Sequence, residues 1–352
     1  MSSISEAKAI CMTQRRPSKM INCHTHLFVG KNVPDDFAPL KLVWLVRHPF
    51  FAKKMMRFLK LIDPVVPQDY AELFARFIRH MSYDSPSDVL NHMKRHYPKG
   101  TKYVVLPMDF EYCGRSKPHQ SVDAQLMELR RLTLTHEEII PFVCVDPRRP
   151  NVTNWTKHWI NDFNFKGIKL YPSLGFLPQD KRLDGVYEFA EENNVPVVTH
   201  CGGTSVQGYN MELPVRTYLN PRNYIEVLHK FPKLRLDIAH FGGVDEWNKS
   251  LQIGGNWTRT WVDEIKDIVL RYENVYTDIS YTIFSNPLVI DYLKVLLNDE
   301  ELSQKILFGT DFYMIDLEHY SEKEVCISLE AHLGEAEWIQ ISETNPSKFL
   351  KI

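Results

Sequence analysis

Several features that would assign this chain to a familiar class are missing from its 352 residues. It has 42 basic against 44 acidic residues, so it lacks the positive surplus of a nucleic-acid-binding protein or a polybasic membrane anchor. Its first residues lack the apolar core of a secretory signal. Its most hydrophobic long stretch, residues 40–62, is interrupted by lysine and arginine, which predicts an amphipathic helical insertion rather than a membrane span.

The six cysteines include no Cys-x-x-Cys pair, so no redox or zinc-finger motif of that kind is present. Cys23, Cys144 and Cys201 lie in or beside apolar runs, where a free cysteine behaves as a small hydrophobic residue. We therefore expect reduced thiols and a cytoplasmic protein.

Short apolar runs recur along the chain and are rich in β-branched residues, which is typical of parallel strands covered on both faces. Helical patterns fall between most of them, at 122–135, 183–193, 223–231 and 261–272. Eight such repeats predict an α/β fold of the (β/α)8 TIM-barrel type rather than an open sheet. The predicted strands are 20–23, 102–109, 139–146, 165–170, 195–199, 234–239, 274–279 and 306–309.

The first inter-strand gap is much longer than the others. Helical patterns at 70–81 and 85–97 lie within it. Because it follows the first strand, it is expected at the catalytic mouth, as a helical cap over about residues 30–100 that shapes the substrate pocket. A packing insertion without substrate contact is the alternative. The domain prediction is a tail at 1–19 and a single barrel domain over 20–352.

Histidine and aspartate recur at the ends of the predicted strands. A single His-x-His pair, or a single histidine at a strand end, is weak evidence in a chain with 14 histidines. The combination is stronger, because the carboxyl ends of barrel strands converge on one face. Imidazole and carboxylate are the usual ligands of zinc and similar ions. The sequence therefore predicts a metal site formed by His24, His26, His200, His240 and Asp311.

A metal in this site would activate water and polarise a carbonyl or carboxylate oxygen. His240 is the candidate base if it is not itself a ligand, and Asp311 can accept or relay the proton. Other side chains follow strands on the same side and are candidates for binding substrate, although a surface role is the simpler interpretation for any one arginine. These candidates are Arg115, Arg148, Lys169, Tyr171, Tyr281 and Tyr313.

The order of His-x-His, strand-four lysine, strand-five histidine, strand-six histidine and strand-eight aspartate resembles the amidohydrolase superfamily. The closing segment, residues 343–350, resembles the N-A-x-R-L-F ending of the amidohydrolase-related (amidohydrolase 2) branch. That branch includes aminocarboxymuconate-semialdehyde decarboxylase. The resemblance covers about residue 20 to the last residue, and the long first insertion is its least typical part.

The resemblance implies two designs for the site. In the mononuclear design, one zinc would be bound by His24, His26, His200 and Asp311, and His240 would activate the water. In the binuclear design, a carboxylated Lys169 would bridge two ions, with His24, His26 and Asp311 on one and His200 and His240 on the other. A buried free ammonium is costly, so Lys169 is expected to bridge metals, to face a substrate charge, or to form a structural ion pair.

These observations favour a metal-dependent hydrolase that directs activated water at an amide, ester or lactone bond of a small polar substrate, expected to carry a carboxylate. The alternative is a metal-dependent non-oxidative decarboxylase of an aromatic or unsaturated acid, although related decarboxylases generally lack the strand-four lysine. A barrel that has lost catalysis and serves as a binding or scaffold protein is the third interpretation. The expected cofactor is Zn²⁺, one or two ions per chain. Neither nucleic acid nor membrane is an expected partner, and the resemblance favours a homodimer.

Overall fold

Eight parallel strands, hydrogen-bonded in chain order, form the central sheet. The computed structural model describes residues 19–36, 79–203, 205–251, 259–282, 287–312 and 321–352. Backbone hydrogen bonds from Cys23 N to Phe308 O and from Asp311 N to His24 O, both 2.9 Å, link the first strand to the end of the last. The predicted (β/α)8 barrel is confirmed. The strands are β1 (Ile21–Thr25), β2 (Lys102–Val105), β3 (Ile139–Val145), β4 (Gly167–Leu170), β5 (Val197–Thr199), β6 (Leu236–Ile238), β7 (Val275–Asp278) and β8 (Ile306–Leu307).

Helices alternate with these strands, and several begin at side-chain caps that satisfy otherwise unpaired backbone N–H groups. Thr260 and Asp263 form a reciprocal capping box, as do Ser321 and Glu324. The α-helices of the described residues are α1 (Pro86–Met93), α2 (Val122–Leu132), α3 (Val152–Asn161), α4 (Asp184–Glu192), α5 (Val215–Leu219), α6 (Asn223–Lys230), α7 (Val244–Ser250), α8 (Trp261–Arg271), α9 (Pro287–Leu297), α10 (Glu300–Ser303), α11 (Glu322–Leu333), α12 (Glu335–Ile339) and α13 (Asn345–Leu350). Short 3₁₀ turns are Gly30–Asn32, Lys94–His96, Pro172–Leu174, Lys181–Leu183 and Ala239–Phe241, and a π-helical turn spans Gln340–Thr344.

The strand boundaries differ from the predicted ones at the ends that carry chemistry. The first strand continues through His24 to Thr25, whereas the prediction ended it at residue 23. Strands two to eight are shorter than predicted. The backbone takes left-handed φ values soon after two of them, 68° at His240 and 59° at Asp311. Such values turn the chain out of the strand, so the apolar run overestimates its length.

The carboxyl-terminal segment that carries the family-like ending is anchored by one buried amide. Asn345 Nδ2 donates to the carbonyl oxygens of Ser303 and Ile306, each at 2.7 Å. Ser303 ends α10 and Ile306 begins β8, so the amide joins α13 to both elements. Phe349, in the same helix, is fully buried.

The described end of the first insertion lies near the last strand. The rings of His80 and His92 lie 6.0 and 5.9 Å from the ring of Phe312, which directly follows Asp311. This places His80 and α1 at the mouth side of the barrel. Residues 37–78, which include the predicted helix at 40–62 and most of the one at 70–81, lie outside the described residues, as does most of the predicted tail. The cap and the domain boundaries therefore stay predictions.

Candidate metal centre

His26 follows β1 and presents one ring nitrogen to the interior of the barrel mouth. Its Nδ1 lies 2.6 Å from the carbonyl oxygen of Leu106, which can only accept, so Nδ1 carries the hydrogen. Its Nε2 lies 3.0 Å from Oδ1 of Asp311. The imidazole is thereby oriented by the backbone of the neighbouring strand segment and faces the strand-eight carboxylate.

His24 lies on β1 and is fully buried. Its Nδ1 is 2.7 Å from Oδ2 of Asp278, at the end of β7, and its Nε2 is 3.3 Å from Nζ of Lys169, on β4. The rings of His24 and His26 lie 5.3 Å apart. Both histidines use Nδ1 for support and direct Nε2 inwards, the arrangement that metal-binding histidines usually adopt.

His200 and His240 face each other from the ends of β5 and β6. Nδ1 of His200 lies 2.8 Å from Nε2 of His240, and Nδ1 of His240 lies 3.0 Å from the carbonyl oxygen of Ser280. Nε2 of His200 is buried and has no hydrogen-bond partner among the described residues. Tyr171 stacks on the His200 ring at a centroid distance of 4.4 Å.

Asp311 completes the set from the turn after β8. Nitrogen or oxygen atoms of His24, His240 and Asp311 lie within 4.8 Å of one another. The left-handed backbone of Asp311 and His240 costs a non-glycine residue about 1–3 kcal/mol and is concentrated at functional sites in proteins. The fold therefore maintains two strained residues at this point.

The protonation states of these groups suit a cation. Burial, reinforced by the Lys169 ammonium, lowers the pKa of His24 to about 3. Burial and the neighbouring His240 lower the pKa of His200 well below its ordinary value. Burial opposes ionisation of Asp311, but the hydrogen bond and charge of His26 hold its pKa below its ordinary range. Neutral imidazoles and an ionised carboxylate are the forms that bind metal.

The donor atoms lie close together. Ligands about 2.1 Å from a tetrahedral zinc lie about 3.4 Å from one another. His200 Nδ1 and His240 Nε2, at 2.8 Å, and His26 Nε2 and Asp311 Oδ1, at 3.0 Å, lie at hydrogen-bonding distances, which are shorter than that spacing. The unpartnered buried Nε2 of His200 is chemically suited to a ligand atom. Residues from β1, β5, β6 and β8 therefore form a candidate centre for a divalent ion.

Lys169 lies at the base of this centre and is buried, with 1% of its surface exposed. Burial lowers its pKa to about 8, although Asp278, Asp311 and Asp237 oppose the shift. Among the described residues its only polar contact within hydrogen-bonding distance is His24 Nε2, and no carboxylate lies within ion-pair distance. This contact favours the bridging and substrate-facing interpretations over the structural ion pair.

The predicted substrate residues that the structure describes lie at the mouth, mostly in contacts within the protein. Arg115 donates to the carbonyl oxygen of Asp36 at 2.6 Å. Arg148 forms a two-pronged ion pair with Asp146 and lines a cavity of about 660 Å³ formed by loops after β2 to β5. The Tyr171 hydroxyl accepts from the backbone of Val206. Tyr281 is half-buried just after β7, and Tyr313 lies outside the described residues. Their roles towards a substrate stay predictions.

Asp278 and Ser280 touch the centre and were missed by sequence reasoning. Asp278 contacts His24, and Ser280 contacts His240 through both its carbonyl and its hydroxyl oxygen. The available signal was the one that selected Asp311, an acidic residue at the end of an apolar run. Asp278 was instead placed inside a longer predicted strand at 274–279.

A comparison with known protein families shows which family this chain belongs to. A family model described as Amidohydrolase matches residues 119–352, more than half of the chain. The chain belongs to this amidohydrolase family. The matched region holds Lys169, His200, His240 and Asp311 and begins after the two β1 histidines. The predicted family and the prediction of an enzyme of the metal-dependent hydrolase type are confirmed, and the family implies a divalent metal.

Solved structures with this architecture match nearly the whole chain. A probable 2-pyrone-4,6-dicarboxylic acid hydrolase from Acinetobacter baumannii has a TM-score of 0.60 at 12% identity, over 95% of this chain and all of that one. A putative 2-pyrone-4,6-dicarboxylic acid hydrolase from Pseudomonas putida has a TM-score of 0.55 at 14% identity, over 94% and 97%. A 4-oxalomesaconate hydratase from Rhodopseudomonas palustris has a TM-score of 0.54 at 17% identity, over 94% and 95%. The TM-scores show that the fold is shared, whereas identities this low leave the substrate open.

A comparison with curated protein sequences gives no significant match. In the part of the chain that the structure describes, no helix is both long and apolar enough to cross a bilayer.

Proposed function

We propose that this amidohydrolase hydrolyses an ester, lactone or amide bond in a small polar substrate that carries a carboxylate. The observation that carries the proposal is the convergence of four histidines and one aspartate from four strands at the barrel mouth. The names of two of the structural relatives, a pyrone dicarboxylic acid hydrolase and an oxalomesaconate hydratase, support a carboxylate-bearing substrate.

In the proposed centre, His24, His26 and Asp311 hold a divalent ion, with His200 either on the same ion or, together with His240, on a second. Such an ion, when bound, supplies a water of lowered pKa and an electrophile for a carbonyl oxygen. Zinc is the proposed metal, since imidazoles dominate the set. One ion per chain supports the mononuclear design and two ions support the binuclear one.

His240 is the proposed base in the mononuclear design. Its Nδ1 faces the carbonyl oxygen of Ser280, which can only accept, so Nδ1 carries the hydrogen. The lone pair is then on Nε2, which faces Nδ1 of His200 at 2.8 Å. Nε2 can therefore accept a proton inside the site. Asp311 is ionised, and its carboxylate lies within 4.8 Å of a ring nitrogen of His240. It can therefore receive or relay that proton.

The chemical state of Lys169 distinguishes two versions of this proposal. A neutral lysine amine can be carboxylated, and the resulting carbamate could bridge two ions as the superfamily resemblance implies. A protonated Lys169 would instead pair with a substrate carboxylate. Lys169→Ala should lower metal occupancy in the first case and should mainly raise KM in the second. Metal analysis with and without added bicarbonate distinguishes them without a substrate.

The reaction class is tested with the purified, metal-loaded protein. Panels of esters, lactones and amides with a carboxylate substituent should yield hydrolysis, whereas Asp311→Asn should yield none. Release of carbon dioxide from aromatic or unsaturated acids, with no hydrolysis in the panels, would replace this proposal with the decarboxylase alternative. Absence of bound metal after loading would remove the basis of both.

The proposal also covers the cellular setting. In the part of the chain that the structure describes, five cysteines, among them Cys23, Cys144 and Cys201, are free and buried, which supports a reducing compartment. We propose a cytoplasmic location. We also retain the expected homodimer. Analytical ultracentrifugation of the full chain tests that expectation.

A further inference from the structure

A single carboxylate at the end of β7 connects two members of the metal centre that lie on different strands. Asp278 is fully buried. Its Oδ2 lies 2.7 Å from Nδ1 of His24, and its Oδ1 accepts from the backbone N–H of His240 at 3.0 Å. The strand-seven end therefore contacts β1 and the turn after β6 at the same time.

The contact with His24 determines which nitrogen of that ring carries a hydrogen. An ionised carboxylate can only accept, so the hydrogen must lie on Nδ1 of His24. The lone pair is then on Nε2, which faces the interior of the centre next to Lys169. The opposite tautomer would place a hydrogen where a metal must bind.

The second oxygen of Asp278 supports His240. His240 has a left-handed backbone, with φ of 68° and ψ of 1°, so its conformation depends on its surroundings. Oδ1 of Asp278 accepts from the backbone N–H groups of both His240 and Ser280, each at 3.0 Å, and also from the Ser280 hydroxyl. Ser280 in turn contacts Nδ1 of His240. The carboxylate thus fixes the turn that directs His240 Nε2 towards His200.

We propose that Asp278 is the positioning residue of this centre, which holds His24 as the Nδ1–H tautomer and fixes the backbone of His240. This inference rests on the proposed metal-binding function. It extends that function to a residue that need not touch metal or substrate. The inference predicts two effects of this carboxylate that can be measured separately: the tautomer of His24 and the affinity of the centre for metal.

The test uses Asp278→Asn, which replaces one carboxylate oxygen by an NH₂ donor and hardly changes the volume of the side chain. The asparagine carbonyl is expected to remain towards His240 and Ser280, because an NH₂ group there would face two N–H donors. Its NH₂ group would then donate to Nδ1 of His24 and drive the hydrogen of that ring to Nε2. Outer-shell changes of this kind typically lower metal affinity about 10- to 100-fold.

Two readouts are made on the full-length protein. Long-range proton–nitrogen spectra of metal-free, histidine-labelled protein identify the tautomer, with the His24 signal assigned by its loss in His24→Gln. Zinc affinity is measured by competition with a chromophoric chelator. Asp109→Asn is the matched control, because Asp109 is a buried carboxylate in the loop after β2 whose ion pair is with Arg149 rather than with a histidine of the centre.

The expected result is Nδ1–H at His24 in the wild type, Nε2–H in Asp278→Asn, and a 10- to 100-fold loss of zinc affinity in that variant alone. An Nε2–H tautomer in the wild type would overturn the inference, and this measurement stands even if the variant fails to fold. An unchanged tautomer in the variant, or an equal affinity loss in Asp109→Asn, would also overturn it. A wild type that binds no zinc would refute the proposed function, whereas the tautomer measurement would still test Asp278.

Discussion

Replacing Lys169 by methionine in the metal-free protein tests whether this side chain is a desolvated ammonium at the base of the centre. Lys169 is buried, and burial lowers its pKa from 10.5 to about 8. Methionine keeps an unbranched apolar stem and removes the charge. The variant therefore isolates the cost of the buried charge.

Folded and unfolded protein hold the Lys169 proton over different pH ranges. Between about pH 8 and 10.5 the unfolded chain keeps this proton and the folded protein has lost it, so this residue's contribution to the free energy of unfolding rises with pH. The difference between the two pKa values corresponds to about 3 kcal/mol. Below pH 8 both states are protonated and the folded protein carries the full cost. The stability of Lys169→Met relative to the wild type should therefore fall by about 3 kcal/mol between pH 7 and pH 10.5.

The assay is denaturant unfolding in the presence of a chelator, at pH values from 7 to 10.5, with wild type and variant side by side. Taking the difference between the two proteins cancels the titration of the cysteines and tyrosines that they share. Lys102→Met is the matched control, because Lys102 is exposed and its replacement removes no buried charge. A difference between Lys169→Met and the wild type that stays constant with pH would refute the reasoning.

Three other changes test the site and its support. Asp311→Asn should abolish turnover and leave the circular dichroism spectrum intact, and near-normal turnover would refute the role of Asp311. Gly309→Ala would place a Cβ 2.8 Å from Cβ of His24, so zinc affinity measured by chelator competition should fall, and an unchanged affinity would show that the strand can yield. Asn345→Ala removes the donor to the buried Ile306 carbonyl and to the part-buried Ser303 carbonyl and should lower the free energy of unfolding by about 1–3 kcal/mol. A loss below about 0.5 kcal/mol in denaturant unfolding would contradict that anchor.

The barrel fold and the residues that form its metal centre could be predicted from the sequence, because both depend on periodic features. Apolar runs alternating with helical patterns define the strands, and parallel strands in a barrel bring their carboxyl ends to one face. His200, His240 and Asp311 could be placed together on that basis although they are distant in sequence. The exact strand ends could not, because the left-handed turns at His240 and Asp311 are set by tertiary hydrogen bonds and not by the apolar pattern.

The partners of individual polar side chains were less accessible. Arg115 is held by the backbone of Asp36, 79 positions away, and a backbone carbonyl has no sequence signature. Arg148 pairs with Asp146, two residues earlier, and that proximity was visible in the sequence. Asp278 is the last residue of β7, whereas the predicted strand at 274–279 ran one residue past it and so hid its place at the strand end.

Anomalous diffraction at the zinc edge, from crystals of the metal-loaded protein, tests the central claim most directly. The account predicts one or two peaks at the mouth of the barrel, with Nε2 of His24 and His26 and a carboxylate oxygen of Asp311 about 2.0–2.2 Å from an ion. Two peaks joined by density on Lys169 would select the binuclear design. A fully loaded crystal with no peak among these residues, or with zinc bound elsewhere, would contradict the account.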